Sequence, residues 1–171
     1  MPQPAYISIK GEKQGEITKG AFTNDSVGNL WQEGHEDECI VQAFSSNVII
    51  PRDPQSGQPT GTRVHQPATI TKYMDKASPL LWQALATGEV LTEITLSFWR
   101  TSTSGQQEKY FTIKWEDAVL VDGKGMIPNA LMEENSKLQH MEDWSFTYRK
   151  VTWTHEKAGT SGSDDWRKPN T

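Results

Sequence analysis

Apolar positions along this chain recur mostly at every second residue, the period of a strand with one face buried. Ala5, Ile7 and Ile9 alternate with Tyr6, Ser8 and Lys10 until Gly11 and Gly15 break the pattern, which predicts a first strand and turn. Between Leu91 and Arg100, Ile94, Leu96 and Phe98 share one face, and Glu93, Thr95, Ser97 and Trp99 share the other. The first face is the predicted core. After a polar turn at Ser102–Gln107, Phe111, Ile113 and Trp115 alternate with Tyr110, Thr112, Lys114 and Glu116, and this partner strand runs on to Val121. The two segments read as an antiparallel hairpin. Ala68–Met74 is threonine-rich and alternating, again a strand, and Cys39–Ile50 reads as one long strand or a strand pair with a bulge near Ser45 and Ser46. Further on, the apolar phase passes from Trp144, Phe146 and Tyr148 to Val151 and Trp153. That change of parity predicts a β-bulge near Arg149 and Lys150, bending the strand as a barrel requires.

One segment has a helical signature. Ser78 can cap an N-terminus, Pro79 suits the first helical position, Gly88 can close the end in a left-handed conformation, and Leu81, Trp82 and Leu85 form a narrow apolar stripe. Gly20–Glu38 is glycine-punctuated and polar, predicting loop and turn with at most one short strand, and Asp122–Gln139 reads as irregular. The result is an all-β fold, a small β-barrel or two-sheet sandwich with one short flanking α-helix at about Ser78 to Thr87 and a long extended loop. Residues 1–158 form the single expected domain; 159–171 are a polar tail, poorly able to order itself unless another surface receives it.

The long loop interrupts this regularity. Val48, Ile49 and Ile50 stop at Pro51, and periodicity does not return until about Pro67, after four prolines and two glycines. Loops beyond about 12–15 residues without secondary structure are usually functional or disordered. This one carries Arg52, Asp53, Gln55, Gln58, Arg63 and His65, a set of donors and acceptors without a nucleophile.

Composition narrows the chemistry. The 171 residues include 22 acidic and 17 basic side chains, a formal charge of −5, which offers no basic footprint for nucleic acid. The N-terminus has no apolar signal-like run, and no segment approaches the ~20 apolar residues of a membrane span, so neither a cleaved signal nor membrane insertion is expected. A single cysteine, Cys39, makes no intramolecular disulfide and reads as a small buried hydrophobe. His35, Glu36, Asp37 and Glu38 are the densest candidate metal set, yet neighbouring side chains on a strand point to opposite faces, so a solvated turn and strand start is the stronger reading. Thr101–Gly105 lacks the strand, sharp turn and helix of a nucleophile elbow. Most of the seven tryptophans fall in core phase but Trp99 does not, which keeps open a monomeric carbohydrate- or ligand-binding β-module.

Several long motifs also carry a resemblance. GEKQGEITKGAF, GHEDE followed by VQAFS, VIIPRDPQSGQPTGTRVHQP, ITK then DKASPLL, and FTYRK with TWTHE and GTSGSDDWR resemble, in order and across essentially the whole chain, the Hcp family, the haemolysin-coregulated tube proteins of the bacterial type VI secretion system. The resemblance implies a small barrel with a flanking helix that assembles as a homohexamer. It implies rings stacked into a tube that leaves the bacterial cytoplasm beneath a spike protein and inside a sheath, secreted without a cleaved signal peptide. It further implies small effector proteins in the lumen, no cofactor and no catalysis. Arg52, Asp53, Gln55, Gln58, Arg63, His65 and Trp99 are the residues expected at subunit or ring interfaces, with the arm lying across an adjacent subunit or the next ring.

Overall fold

The computed structural model describes residues 3–168. The period-two segments form β1 (Ala5–Gly11), β3 (Cys39–Ser45), β6 (Ala68–Tyr73), β7 (Val90–Thr101), β8 (Gln107–Met126) and β9 (Met141–Thr147). These pair in the order β8-β7-β1-β3-β6-β9, and β9 returns to β8, so the sheet closes into a six-stranded barrel. Closure removes the free edges that an open sheet of this size would leave. The short β2 (Gly15–Glu16) pairs with β1, and β10 (Lys150–His155) and β11 (Thr160–Asp165) continue outward from β8.

Closure depends on β8, which spans 20 residues. Its first half pairs with β10 from Phe111 to Glu116, and its second half pairs with β9 from Val119 to Met126. The chain between them turns at Tyr148 and Arg149, where the parity of the sequence changes, and Tyr148 and Val151 both stay buried. Asp117 on β8 takes a left-handed backbone, φ 52°, opposite this corner. Aspartate tolerates that region better than most side chains. Arg149 bridges the corner, its Nε donating to Asp117 at 2.7 Å and its Nη1 to Asp165 at 2.5 Å.

The barrel interior holds the predicted phase: Ile7, Ile9, Ile94, Leu96, Ile113, Trp115, Trp144 and Phe146 are buried. Phe44, Phe98, Phe111, Trp115 and Phe146 form a chain of aromatic contacts with centroids 4.9–5.9 Å apart. Helix α2 (Ser78–Thr87) ends on Gly88 in the left-handed conformation. Its cap differs from expectation: Ser78 lies inside the first turn, and Asp75 Oδ1 instead accepts from the Ala77 N–H at 2.9 Å, while Ser78 Oγ accepts from the Asp75 N–H. Leu81 and Ala84 are the apolar residues the helix buries; Leu85 is half-buried and Trp82 rests edge-on against Trp144 at 4.7 Å. Leu81→Ala is therefore expected to cost about 2–5 kcal/mol and Leu85→Ala less, a ranking that urea unfolding of both variants checks.

Other expectations are corrected. The Gly20–Glu38 segment holds a second, four-residue helix, α1 (Asn24–Val27), and a 3-10 turn at Gly28–Leu30 rather than a strand. The irregularity in β3 falls between Val41 and Ala43, not at Ser45 and Ser46. Residues 122–126, read as irregular, belong to β8, because Gly123 lets the backbone run against Trp144. The tail orders through Thr160–Asp165, in regular register with β10; residues 169–171 lie outside the described residues.

Candidate functional site

The stretch that interrupts the sequence pattern is a protruding arm with structure of its own. β4 (Val48–Ile49) pairs with β5 (Val64–His65), and beyond them Arg52 bridges Pro59, so the arm prolongs the β3–β6 hairpin outward instead of looping freely. Its tip is fastened by Asp53. The Asp53 carboxylate accepts from the Gln55 N–H at 3.2 Å, the Ser56 N–H at 3.3 Å and the Ser56 hydroxyl at 2.7 Å. The Ser56 hydroxyl, followed by the Gln55 amide, holds that carboxyl below its usual range. Asp53 is thus a turn-former. Arg52, Gln55 and Gln58 remain exposed on the arm.

The arm's root is clamped to the C-terminal strand. Arg63 donates from Nε and Nη2 to the two Asp164 oxygens at 3.0 and 3.1 Å, and Nη2 also donates to the carbonyls of Asp165 and Lys168. A planar guanidinium facing a carboxylate in this paired way is the stronger, orienting kind of ion pair. His65 is buried beside it, with Nε2 2.6 Å from Asp164 and Nδ1 2.7 Å from the Tyr148 hydroxyl. With Asp164 ionised, Nε2–H donates to the carboxylate and Nδ1 accepts from the tyrosine, an assignment that leaves no proton without a partner. Arg63 and His65, expected at a subunit interface, therefore have partners inside their own chain, and they orient the arm.

The electrostatics of the clamp set its pH range. The Arg63 hydrogen bond, supported by that of His65 and opposed by partial burial, holds the Asp164 carboxyl below 3.8. Burial, with the Asp164 charge second, pushes the Tyr148 hydroxyl up from 10.0 to about 12. A carboxyl depressed by folding contributes stability above its unfolded value and loses it as pH falls through the folded one. Protection factors for Val64, His65 and Thr160–Asp165 are expected to fall together once the pH drops below 3.8, whereas Asp164→Asn removes this step.

Trp99 lies elsewhere, over the outer face of β7. His35 stacks flat on Tyr6 at 3.8 Å, and Trp99 meets the His35 ring edge-on at 5.0 Å. These side chains, with Pro4, Gln32 and Gln107, line a recess of about 300 Å³. Trp99 is half-buried there, covered by the 20–38 loop, and is not the flat open platform that a sugar-binding module presents. His35 is half-buried as well, 3.7 Å from Glu38, whose carboxyl is pushed up by burial. The expected solvated turn is thus partly a packing element, and among the described residues no three His, Cys, Asp or Glu side chains converge as metal ligands. Cys39 is fully buried, and burial pushes its thiol well above the usual value.

The pattern reading passed over a cluster under α2. Lys72 and Glu142 face each other across β6 and β9, both fully buried, with Nζ 2.6 Å from Oε1. Asp75 lies 3.0 Å from the same ammonium, and Ser78 Oγ donates to Glu142. Burial would depress the Lys72 pKa, but Asp75 and Glu142 beside the ammonium more than offset it and hold it charged. Core phase was the available signal: Ala68, Ile70 and Lys72 alternate inward, as do Glu142, Trp144 and Phe146.

A barrel closed around an aromatic core, bearing one anchored arm, is an architecture shared by known proteins. A family model described as "Type VI secretion system effector, Hcp" matches residues 6–155. The "Major exported protein" of Pseudomonas aeruginosa is 61% identical over 169 residues, 99% of this chain and 98% of that protein. A crystal structure of an Hcp protein superposes with a TM-score of 0.94 at 46% identity, covering 98% of this chain and all of that one. The secreted protein Hcp3 of Pseudomonas aeruginosa gives a TM-score of 0.83 at 53% identity over 98% of this chain and 100% of that one. The chain belongs to the Hcp family. It is a type VI secretion tube subunit, a structural and secreted component of that apparatus.

Proposed function

We propose that this chain assembles as a homohexameric ring, that rings stack into a tube, and that the tube leaves the bacterial cytoplasm without a cleaved signal peptide, beneath the spike protein and inside the sheath, carrying small effector proteins in its lumen. The observation that carries the reading is the 61% identity to an exported protein over 99% of this chain. The anchored arm supports it, since a clamped projection is an element for meeting a second molecule. A non-catalytic role is supported by the burial of the one thiol and by the enclosure of His65 between Asp164 and Tyr148. Head-to-tail contacts close into rings when their rotation permits, the geometry that a tube needs.

Negative-stain imaging with light scattering tests the assembly directly. Rings of six-chain mass are expected, and a monomer at micromolar concentration overturns the reading. The carbohydrate-module alternative predicts quenching of tryptophan fluorescence by sugars, which the covered Trp99 is not expected to show.

A further inference from the structure

The 20–38 loop carries a second recess, apart from the one beside Trp99. Its volume is about 520 Å³, within the range of small-molecule pockets, and Thr23, Asn24, Asp25, Asn29, Trp31 and Glu36 line it. Trp31 is 44% exposed, although tryptophan is on average a highly buried residue. Asn24, Asp25 and Asn29 are exposed as well, and among the described residues their side chains have no hydrogen-bond or ion-pair partner. Their donors and acceptors are unspent. The walls are fixed all the same: the Phe22 N–H donates to the Glu36 carbonyl at 3.1 Å, the Gly20 N–H to Asp37 Oδ1 at 3.0 Å and the Thr23 hydroxyl to the Gly20 carbonyl at 3.0 Å. Phe22 itself is fully buried. The Gly34 N–H donates to Glu36 Oε1 at 3.0 Å, and that bond holds the Glu36 carboxyl below its usual range, so it is charged at neutral pH.

An open indole ringed by short amides and carboxylates is selective chemistry. An apolar peptide needs more than one apolar wall, and Trp31 is the one large apolar side chain in the lining. An anion would meet Asp25 and Glu36 with no lysine or arginine in the lining to offset them. A pyranose suits both features: its C–H face packs on the electron-rich face of an indole, and its hydroxyls donate to carboxylates and exchange bonds with carboxamides. We propose that this recess is a carbohydrate subsite for a neutral or amine-bearing pyranose. Trp31 is the stacking platform, Asp25 and Glu36 accept from hydroxyl or ammonium groups, and Asn24 and Asn29 pair with the remaining hydroxyls. The site belongs to the subunit itself and goes beyond its place in a tube.

The experiment titrates the full chain with methyl β-glucoside, glucosamine and glucuronate, read by tryptophan emission. A saturable change is expected with the first two, glucosamine the tighter, and none with glucuronate, whose carboxylate meets Asp25 and Glu36. Trp99→Phe keeps the response and Trp31→Ala abolishes it, which separates this recess from the monomeric-module alternative. Because Trp31→Ala also removes the fluorophore, saturation-transfer NMR repeats the comparison on the sugar signals, and circular dichroism checks that each variant is folded. Asp25→Asn combined with Glu36→Gln retains an acceptor for the Gly34 N–H. This variant is expected to weaken glucosamine about tenfold and to erase its lead over the glucoside. A non-saturating change, glucuronate binding as tightly as the glucoside, sugar signals that survive Trp31→Ala, or their loss in folded Trp99→Phe overturns the subsite. An unaltered glucosamine preference in the carboxylate variant overturns the roles given to Asp25 and Glu36.

Discussion

Glu142→Leu is expected to destabilise the barrel by about 3–5 kcal/mol, because it strands the fully buried Lys72 ammonium without its nearest partner. For a domain of this length that is a fall on the order of 10 °C in Tm, readable by circular dichroism. The physical reason is asymmetry. Each charge has already given up its hydration, and the 2.6 Å contact offsets that loss only while both members are present. Replacing both, as Lys72→Met with Glu142→Leu, is expected to recover part of the stability. Recovery stays partial because Asp75 remains buried with the Ala77 N–H as its chief donor. A single variant costing under about 1 kcal/mol would contradict this account of the cluster.

The second large effect concerns the clamp. Asp164→Ala removes the acceptor of Arg63 Nε, of one Nη2 bond and of His65 Nε2 in one step. Losing hydrogen bonds to charged groups costs about 1.5–3 kcal/mol, and the loss is expected to be local before it is global. Hydrogen exchange should therefore show β4, β5 and β11 losing protection as a unit while β7 and β8 keep theirs. Arg63→Lys is expected to give a milder version, since an ammonium cannot match the paired geometry of the guanidinium. Unchanged protection of Val64 and His65 in Asp164→Ala would show that the arm is held by its own turn alone.

Most of the barrel was legible in the chain because a strand with one buried face writes its period directly into the sequence. Ile94, Leu96 and Phe98 against Thr95 and Ser97 needed no other information, and α2 was bounded by Pro79 and Gly88 for local steric reasons. The position of the corner at Tyr148 and Arg149 was legible from the parity change, but its form was not: the chain leaves β9 at Thr147 and starts β10 at Lys150 instead of bulging within one strand. The arm was only partly legible. Prolines and glycines break hydrophobic periodicity, and a hairpin held by backbone bonds between Pro51 and Thr60 leaves no periodic trace. The clamp was not legible at all, because Arg63 and Asp164 stand 101 positions apart and only barrel closure brings them together. Thr160–Asp165 is polar throughout, and its order comes from pairing with β10 rather than from burying anything.

The length of β8 has a mechanical meaning. One continuous strand runs from the Ser102–Gln106 tip to the exposed 127–140 loop, laced on one side to β7 and on the other to β10 and then β9. A push delivered at either end travels along the strand axis, so its ladder bonds are loaded in shear, many at once, instead of being peeled one by one.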